Sequence, residues 1–338
     1  MKQRLFITHS RPRLHSQAGA ALLAAMLTVT LVATLASAAL WQQWRDLEVE
    51  TAERNRLQAS WLLLGALDWS RVILQEDARA NRNQPIDHLG EPWAVPLQEA
   101  RLSTFLAAQN NVSQADANVS DVQDAFLSGS IIDLQSRLNL RGLIGAASDA
   151  QSMQSFQRLF QRLSLPSSEV ARLSQALTQA SQSTTTVTTS AAPNNAVLMP
   201  RTVAQLVWLG FAPQLVARIE PFVTLLPEVT PVNINTASAE VLWASMTDLD
   251  WAQANQIVQL RMATPFNTVA AAAEALKLPS LASASNFTVF TRFFEARGRM
   301  RMGENMLSER SIIQRDGMSV KTIWRERGDW GMPAVSRP

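Results

Sequence analysis

Hydrophobic positions are arranged in three ways along this chain, and each arrangement predicts a different element. Residues 20–40 contain no charged side chain. A run of about 20 apolar residues is the length that crosses a bilayer core, so this stretch predicts a membrane-spanning helix. The helical pattern then continues to about residue 79 without proline, and Gly65 is the first glycine in it. Within that continuation Leu57, Trp61, Leu64 and Asp68 share one face, with Val72 a step further, while Arg45, Glu48, Glu53, Arg54 and Arg56 take polar positions. One long helix over residues 20–79 is expected, its first half in lipid and its second half laid on a sheet by the Leu57–Trp61–Leu64 row. Asn81-Arg82-Asn83-Gln84-Pro85 ends it.

The pattern downstream changes twice. Leu89-Gly90-Glu91-Pro92-Trp93-Ala94-Val95-Pro96 sets two prolines around an exposed-looking tryptophan, which suits a loop or a sheet edge. Asp87-His88 just before it reads as a solvated turn. Residues 126–140 read as a strand entering a loop. Residues 150–277 then become helical: Phe156, Leu159, Phe160 and Leu163 fit one helix face, and Pro166-Ser167-Ser168 opens a second helix over 169–180. The Ser/Thr run at 181–190 predicts a loop. Strands return at 287–294 and on either side of Arg315-Asp316-Gly317-Met318, where Asp-Gly is a strong hairpin signal. Strands on both sides of a helical block imply an α+β protein in which a helical domain is set into a strand-containing one.

Charge orients the first helix. Lys2, Arg4, Arg11 and Arg13 precede the apolar run, and no acid occurs before Asp46. Basic flanks stay cytoplasmic, so the remainder projects to the far side of the membrane. Trp41 and Trp44 stand where an aromatic membrane-interface belt would. The first 19 residues hold four of the 30 basic residues and none of the 28 acidic ones, so the chain from Ala20 carries a net charge of −2. No basic stripe stands out after residue 44. There is no cysteine, so an exported fold must rest on packing or assembly.

In Gln17-Ala18-Gly19-Ala20-Ala21-Leu22-Leu23 a small residue ends the basic leader and a helix begins at once. This resembles the leader of type IV prepilins and type II secretion pseudopilins, which a membrane peptidase cuts after glycine, here between Gly19 and Ala20. An uncleaved anchor and an ordinary signal peptide cut near Ala36-Ser37-Ala38 are the alternatives. Most pilin-like proteins carry glutamate at the fifth mature residue; here that position is Ala24. A carboxylate in hydrocarbon is retained only where it finds a partner, and a subunit without it need not make that pairing. Among pseudopilins this absence marks secretion protein K. The Glu91-Pro92-Trp93-Ala94 tract and Ile132-Asp133-Leu134-Gln135, ending in Asn139-Leu140, are similar to tracts of the same family.

Val232-Asn233-Ile234-Asn235-Thr236-Ala237-Ser238-Ala239-Glu240 is the most motif-like soluble stretch. Thr236 or Asn235 can cap a helix with Glu240 in its first turn, a near match to the capping box. Helix-hairpin-helix DNA-binding modules begin in this way, and a membrane-tethered DNA receptor of a competence-like system is the alternative function. Their glycine-rich hairpin brings backbone N–H groups to phosphate. The corresponding turn here, Met246-Thr247-Asp248-Leu249-Asp250-Trp251-Ala252-Gln253, has two acids and no glycine, so no nucleic acid is expected as a partner. The same tract is familiar in secretion protein K.

Chemistry is sparse. His9 and His15 lie in the leader, which leaves His88 alone for the mature chain, and without cysteine no thiolate site can form. Arg141-Gly142-Leu143-Ile144-Gly145 lacks the lysine of a phosphate loop. No catalytic residue, cofactor or metal is expected. Calcium needs six to eight oxygen ligands, and the acidic segment that serves this purpose in many K proteins is reduced here to Glu169 and Glu220 between Pro166 and Pro227.

The resemblance implies a pilin-like α/β domain interrupted by a large all-α insertion. The expected parts are a leader at 1–19, a transmembrane half-helix at 20–43 and the first pilin-like part at 44–145. The helical insertion follows at 146–277, with its hairpin-like segment at 231–262, and the C-terminal strands occupy 278–338. It further implies a non-enzymatic minor pseudopilin, single-pass in the inner membrane with a periplasmic C-terminal domain. Its implied place is the tip of the pseudopilus of a type II secretion system, which exports folded proteins. Proteins I and J, protein H and the prepilin peptidase are the implied partners.

Overall fold

The computed structural model of the chain describes residues 18–104, 125–145, 150–186, 197–303 and 305–328. The leader up to residue 17, with all its basic residues, therefore lies outside the described residues. A single helix, α1 (Ala18–Ala80), opens the structure. It has the length and composition to cross a membrane, its most apolar stretch reaching a mean hydropathy of 2.1. The chain divides into two units, Met1–Gln58 and Ala59–Pro338. In the first, the described part of α1 is solvent-exposed almost throughout.

The second unit begins with the last turns of α1. Strands β1 (Leu97–Arg101) and β2 (Ala125–Asp133) follow. A long excursion comes next: β3 (Leu138–Asn139), α2 (Ala150–Arg162), α3 (Ser168–Thr186), α4 (Pro213–Ile219), β4 (Val223–Thr224), β5 (Val232–Asn233), α5 (Ala239–Ser245), α6 (Trp251–Ala263), α7 (Val269–Ala275), α8 (Pro279–Ala282) and β6 (Phe287–Thr288). The chain closes with β7 (Phe293–Met302), β8 (Asn305–Asp316) and β9 (Ser319–Arg327). Five strands form one antiparallel sheet in the order β1-β2-β7-β8-β9. β2 and β7, on either side of the excursion, pair continuously from Ala125↔Met302 to Asp133↔Phe294. The helical part therefore leaves and returns at adjacent strand ends, which is how a domain can be inserted without breaking its host. The insertion is helical except for two short parallel pairs, β3 with β4 and β5 with β6.

Helix α1 packs on the sheet through Ala59, Leu63, Leu67, Ser70 and Leu74, which are buried against Leu127, Phe294, Ala296, Met300 and Ile313. This corrects the expected Leu57–Trp61–Leu64 row: Trp61 is 70% exposed and Val72 is exposed too. The helix carries two apolar stripes, and the sheet takes the one whose smaller residues allow close approach. Gly298 of β7 is why the fit is tight. A Cβ there would lie 2.7 Å from Leu63 Cδ1, so any side chain at this position would have to push the buried Leu63 aside. Asp68, from the expected row, sits instead at the rim and pairs with Arg325 of β9 at 3.0 Å.

The expected hairpin forms between β8 and β9, with Gly317 at φ +57° in the left-handed region where glycine carries no Cβ penalty. In the insertion, Phe156, Leu159 and Phe160 of α2 and Val170, Leu173 and Leu177 of α3 are buried at helical spacing in one core. The Ser/Thr run does not begin as a loop. Helix α3 continues through Thr186, because no glycine or proline stops it, and the rest of the run lies outside the described residues.

Candidate functional site

The polar residues singled out from the sequence converge where the insertion joins the sheet. Asp133 ends β2, and its carboxylate is fully enclosed. One oxygen, Oδ1, accepts from the Gln135 N–H at 2.6 Å. The other, Oδ2, accepts from the hydroxyls of Thr236 (2.5 Å) and Thr291 (2.7 Å) and from Asn233 Nδ2 (3.1 Å). Burial pushes the Asp133 carboxyl up to about 6, against the pull of the Thr236 and Thr291 hydroxyls and with a small push from Asp87.

The segment Asn233–Thr236 is built by alternation. Val232, Ile234 and Ala237 enter the insertion core, while the polar residues between them fix the backbone. Asn233 Nδ2 also donates to the Asp87 carbonyl at 3.1 Å, and Asn233 Oδ1 accepts from the Asn235 N–H at 3.0 Å. Asn235 bonds both backbone groups of Phe266. Arg261 donates to the Ile234 carbonyl at 2.7 Å. Neither Thr236 nor Asn235 caps α5, contrary to the expectation, because both side chains are committed elsewhere. Ser238 is the N-cap and accepts from the Val241 N–H.

A second charged group lies beside the first. Asp87, expected in a solvated turn, is buried. Its carboxylate accepts from the Thr291 N–H at 2.6 Å and from Arg315 Nη2 at 2.5 Å, while Arg315 Nη1 reaches Asp77 at 2.6 Å. Burial raises both aspartates above the ordinary carboxylate range, Asp77 with help from Glu91 and Asp87 against the attraction of Arg315. For Arg315 burial acts the other way, but Asp87 and Asp77 outweigh it and hold its guanidinium above its ordinary value. Trp93 is buried too, which corrects the exposed loop reading: its Nε1–H donates to Glu91 at 2.7 Å and its ring meets Phe294 edge-on at 5.2 Å. The local signal was present in the glutamate two residues before the tryptophan, but its buried partner lies some 200 residues away in sequence. Asp77, Asp87 and Glu91 come close enough together to hold a cation. Arg315 already neutralises the first two, and Asn81, Trp93 and the His88 N–H bond the third, so this donor set does not fit a resident metal.

In the turn between α5 and α6, Met246 and Leu249 are buried while Thr247, Asp248 and Asp250 are exposed. Arg158 of α2 donates to the carbonyls of Trp243 (2.7 Å), Thr247 (3.3 Å) and Leu249 (3.2 Å) and stacks 4.1 Å over the Trp243 ring. Asp250 and Gln253 close the start of α6 with a reciprocal capping box, so a carboxylate occupies the end where a phosphate would dock. A basic row that the sequence reading missed does exist: Arg297, Arg299 and Arg301 alternate along one face of β7. It is interleaved with acids, Arg297 pairing with Glu295, Arg301 with Glu99 and neighbouring Arg310 with Glu326. The period of two was the signal.

The remaining candidates, Gly19, Ala20, Ala24, Trp41 and Trp44, all lie on α1 and are exposed. Arg45 stacks 4.6 Å over Trp41. The junction brings together Asn233, Thr236 and the Ile132-Asp133-Leu134-Gln135 tract, two sequence signals a hundred residues apart.

The comparisons agree in one direction. The family described as Type II secretion system (T2SS), protein K, matches residues 136–228 and 232–289, each through its own family model. Type II secretion system protein K of Pseudomonas aeruginosa is 26% identical over 95% of this chain and 96% of its own length. Its counterpart from Klebsiella pneumoniae is 28% identical over 93% of this chain and 97% of its own. In fold, a chain of the crystal structure of the GspK–GspI–GspJ complex from the type 2 secretion system of enterotoxigenic Escherichia coli superposes with a TM-score of 0.62 at 19% identity, covering 82% of this chain and 98% of that one.

Proposed function

We propose that this chain, which belongs to the type II secretion system protein K family, is the minor pseudopilin that caps the periplasmic pseudopilus and supports export of folded proteins across the outer membrane. The observation that carries this reading is the insertion. It is a complete helical body with its own core, attached at the adjacent ends of β2 and β7 in a sheet backed by α1. A body of that bulk, held beyond a helix-on-sheet subunit, obstructs the stacking of a further subunit above it and so suits a terminal position.

The N-terminal part of α1 anchors the chain in the inner membrane, with the basic leader cytoplasmic and the rest periplasmic. The prepilin peptidase removes the leader between Gly19 and Ala20. Ala24 then leaves the subunit without the carboxylate that pairs with a neighbour's terminal amine, which again suits an end position. Pseudopilins resembling proteins I and J complete a heterotrimer at the tip, with protein H as a further contact. The solved complex that contains the structurally similar chain supports that choice of partners. The role is structural rather than enzymatic.

Co-purification tests the reading. The tagged full chain, extracted from membranes in mild detergent, is expected to retain pseudopilins I and J in equal amounts, and deletion of its gene to stop secretion. Recovery of the full chain alone from cells expressing all three would overturn the tip reading.

A further inference from the structure

The insertion and the sheet-bearing part have separate apolar cores. Among the described residues, the buried apolar contact between them is a small cluster of Leu134, Leu226 and Phe293, with Ile312 packed against it. Apolar contact is non-directional, so so small a cluster buries area without setting an angle. The directional contacts at this boundary are polar: Arg292, just before β7, joins Glu228 of the insertion to Asp316 of β8, the Asp87 N–H donates to the Val289 carbonyl, and the buried set converges on Asp133. Gln135 just past β2 and Thr291 just before β7 bond it from the side of the sheet, and Asn233 and Thr236 bond it from the insertion. Asn233 extends the connection to the Asp87 carbonyl in the loop after α1. Gln135 adds a second bridge, donating to the Pro231 carbonyl and accepting from the Arg292 N–H.

Burying a carboxylate costs stability, and well-packed apolar groups of similar volume often stabilise as much or more. A buried charge that nevertheless receives four donors from three separate passages of the chain constrains geometry. We infer that Asp133 is the positioning residue that fixes the angle between the insertion and the sheet and makes the two a single rigid piece. The geometry stands by itself; only its use, to hold a cap at a set angle, rests on the tip reading above.

The width of a distance distribution reads positioning apart from stability. The chain has no cysteine, so Glu274→Cys on α7 and Lys321→Cys on β9, both at exposed positions, take spin labels without further changes. Electron–electron distance measurements on the doubly labelled full chain in detergent micelles should give one narrow distribution. In Asp133→Leu that distribution is expected at least roughly to double in width while circular dichroism stays unchanged; the melting midpoint is expected to fall as well, because Gln135, Asn233, Thr236 and Thr291 lose a buried acceptor. An unchanged narrow distribution in Asp133→Leu overturns the inference. So does a fall in melting midpoint without broadening, which is the mark of a merely structural carboxylate. Should Asp133→Leu fail to accumulate, Thr236→Val withdraws only the insertion's hydroxyl and leaves the carboxylate in place: measurable broadening supports the inference and none overturns it. The outcome is independent of the tip reading, since a broadened distribution with normal secretion would remove the capping role and leave Asp133 as the positioning residue.

Discussion

Asn235 holds Phe266 by both of its backbone groups: the side-chain oxygen accepts from the Phe266 N–H at 2.9 Å, and the side-chain nitrogen donates to the Phe266 carbonyl at 3.0 Å. The pair locks the motif before α5 to the loop between α6 and α7 inside the insertion. Asn235→Ala leaves a buried N–H and a buried carbonyl without partners, each worth roughly 1–3 kcal/mol, so a loss of about 2–6 kcal/mol is expected in urea unfolding. Asn235→Asp should be at least as damaging, since it turns an acceptor toward a carbonyl. A change under about 0.5 kcal/mol in Asn235→Ala, the range of ordinary surface substitutions, would mean the clamp is not formed.

Asp133 should leave a signature in the pH dependence of stability. Its folded-state pKa, about 6, lies above the ordinary value of 3.8, so the folded state binds the proton more tightly than the unfolded one. The associated stability is fully present below about pH 4 and is lost as pH rises through 6. Asp133→Asn cannot titrate. Its stability relative to wild type should therefore improve by up to about 3 kcal/mol between pH 4 and pH 7. The comparison cancels Asp77 and all of Asp87 except its small coupling to Asp133, since both aspartates are raised and present in the two proteins. Parallel curves for the two proteins would refute the assignment.

Processing should occur after Gly19. Mass spectrometry of the membrane-extracted protein is expected to show Ala20 as the first residue. Gly19→Glu should block both processing and secretion, because a bulky charge replaces the small residue ahead of the membrane helix. An intact Met1, or a start near residue 39, is incompatible with a prepilin-type leader.

Trp61 offers a second test of assembly. It is 70% exposed on the stripe of α1 that the sheet does not take. Trp61→Arg should leave the melting midpoint unchanged, since among the described residues nothing packs against most of the ring. If partner helices use this stripe, the substitution should weaken capture of pseudopilins I and J by roughly tenfold or more, as expected for an aromatic anchor. Undiminished capture would move the contact to another face.

Duplex DNA should not bind. Non-specific binders reach ~10⁻⁴–10⁻⁶ M by neutralising phosphates, with strong salt dependence. The α6 end is closed by Asp250, and three arginines in and beside the β7 row are paired with glutamates. A micromolar, salt-sensitive shift in a titration of the full chain would favour the DNA-receptor alternative.

Local signals were legible in the sequence and distant ones were not. The long helix, the Asp316-Gly317 hairpin and the α2 face were readable because period and turn chemistry are properties of a few neighbouring residues. The packed stripe of α1 was misread because Trp61 and Leu57 are larger than Ala59 and Ser70, and size dominates a helical pattern until the partner surface is known. That surface has a glycine at Gly298, whose effect on α1 no pattern within α1 can reveal. Asp87 and Trp93 looked exposed for the same reason: their partners Arg315 and Phe294 lie more than 200 residues downstream. The Val232–Thr236 motif was visible as a motif, but its partner Asp133 was not, since ionic and hydrogen-bond pairing leaves no periodicity.

The side-by-side attachment of the insertion has a mechanical consequence. Asp133 at the end of β2 and Phe293 at the start of β7 are moved in the same direction by any axial load on the insertion, so the ladder between these two strands is not asked to slide. Shear falls on the flanking ladders, among them the β7–β8 pairing that runs from Phe293↔Gln314 to Met302↔Asn305. Bonds arranged across the load are strained together and fail together, whereas bonds opened in sequence yield one by one. Force on the insertion is therefore taken up by β2 and β7 together and passed to the flanking strands β1 and β8, rather than parting the two strands that carry it.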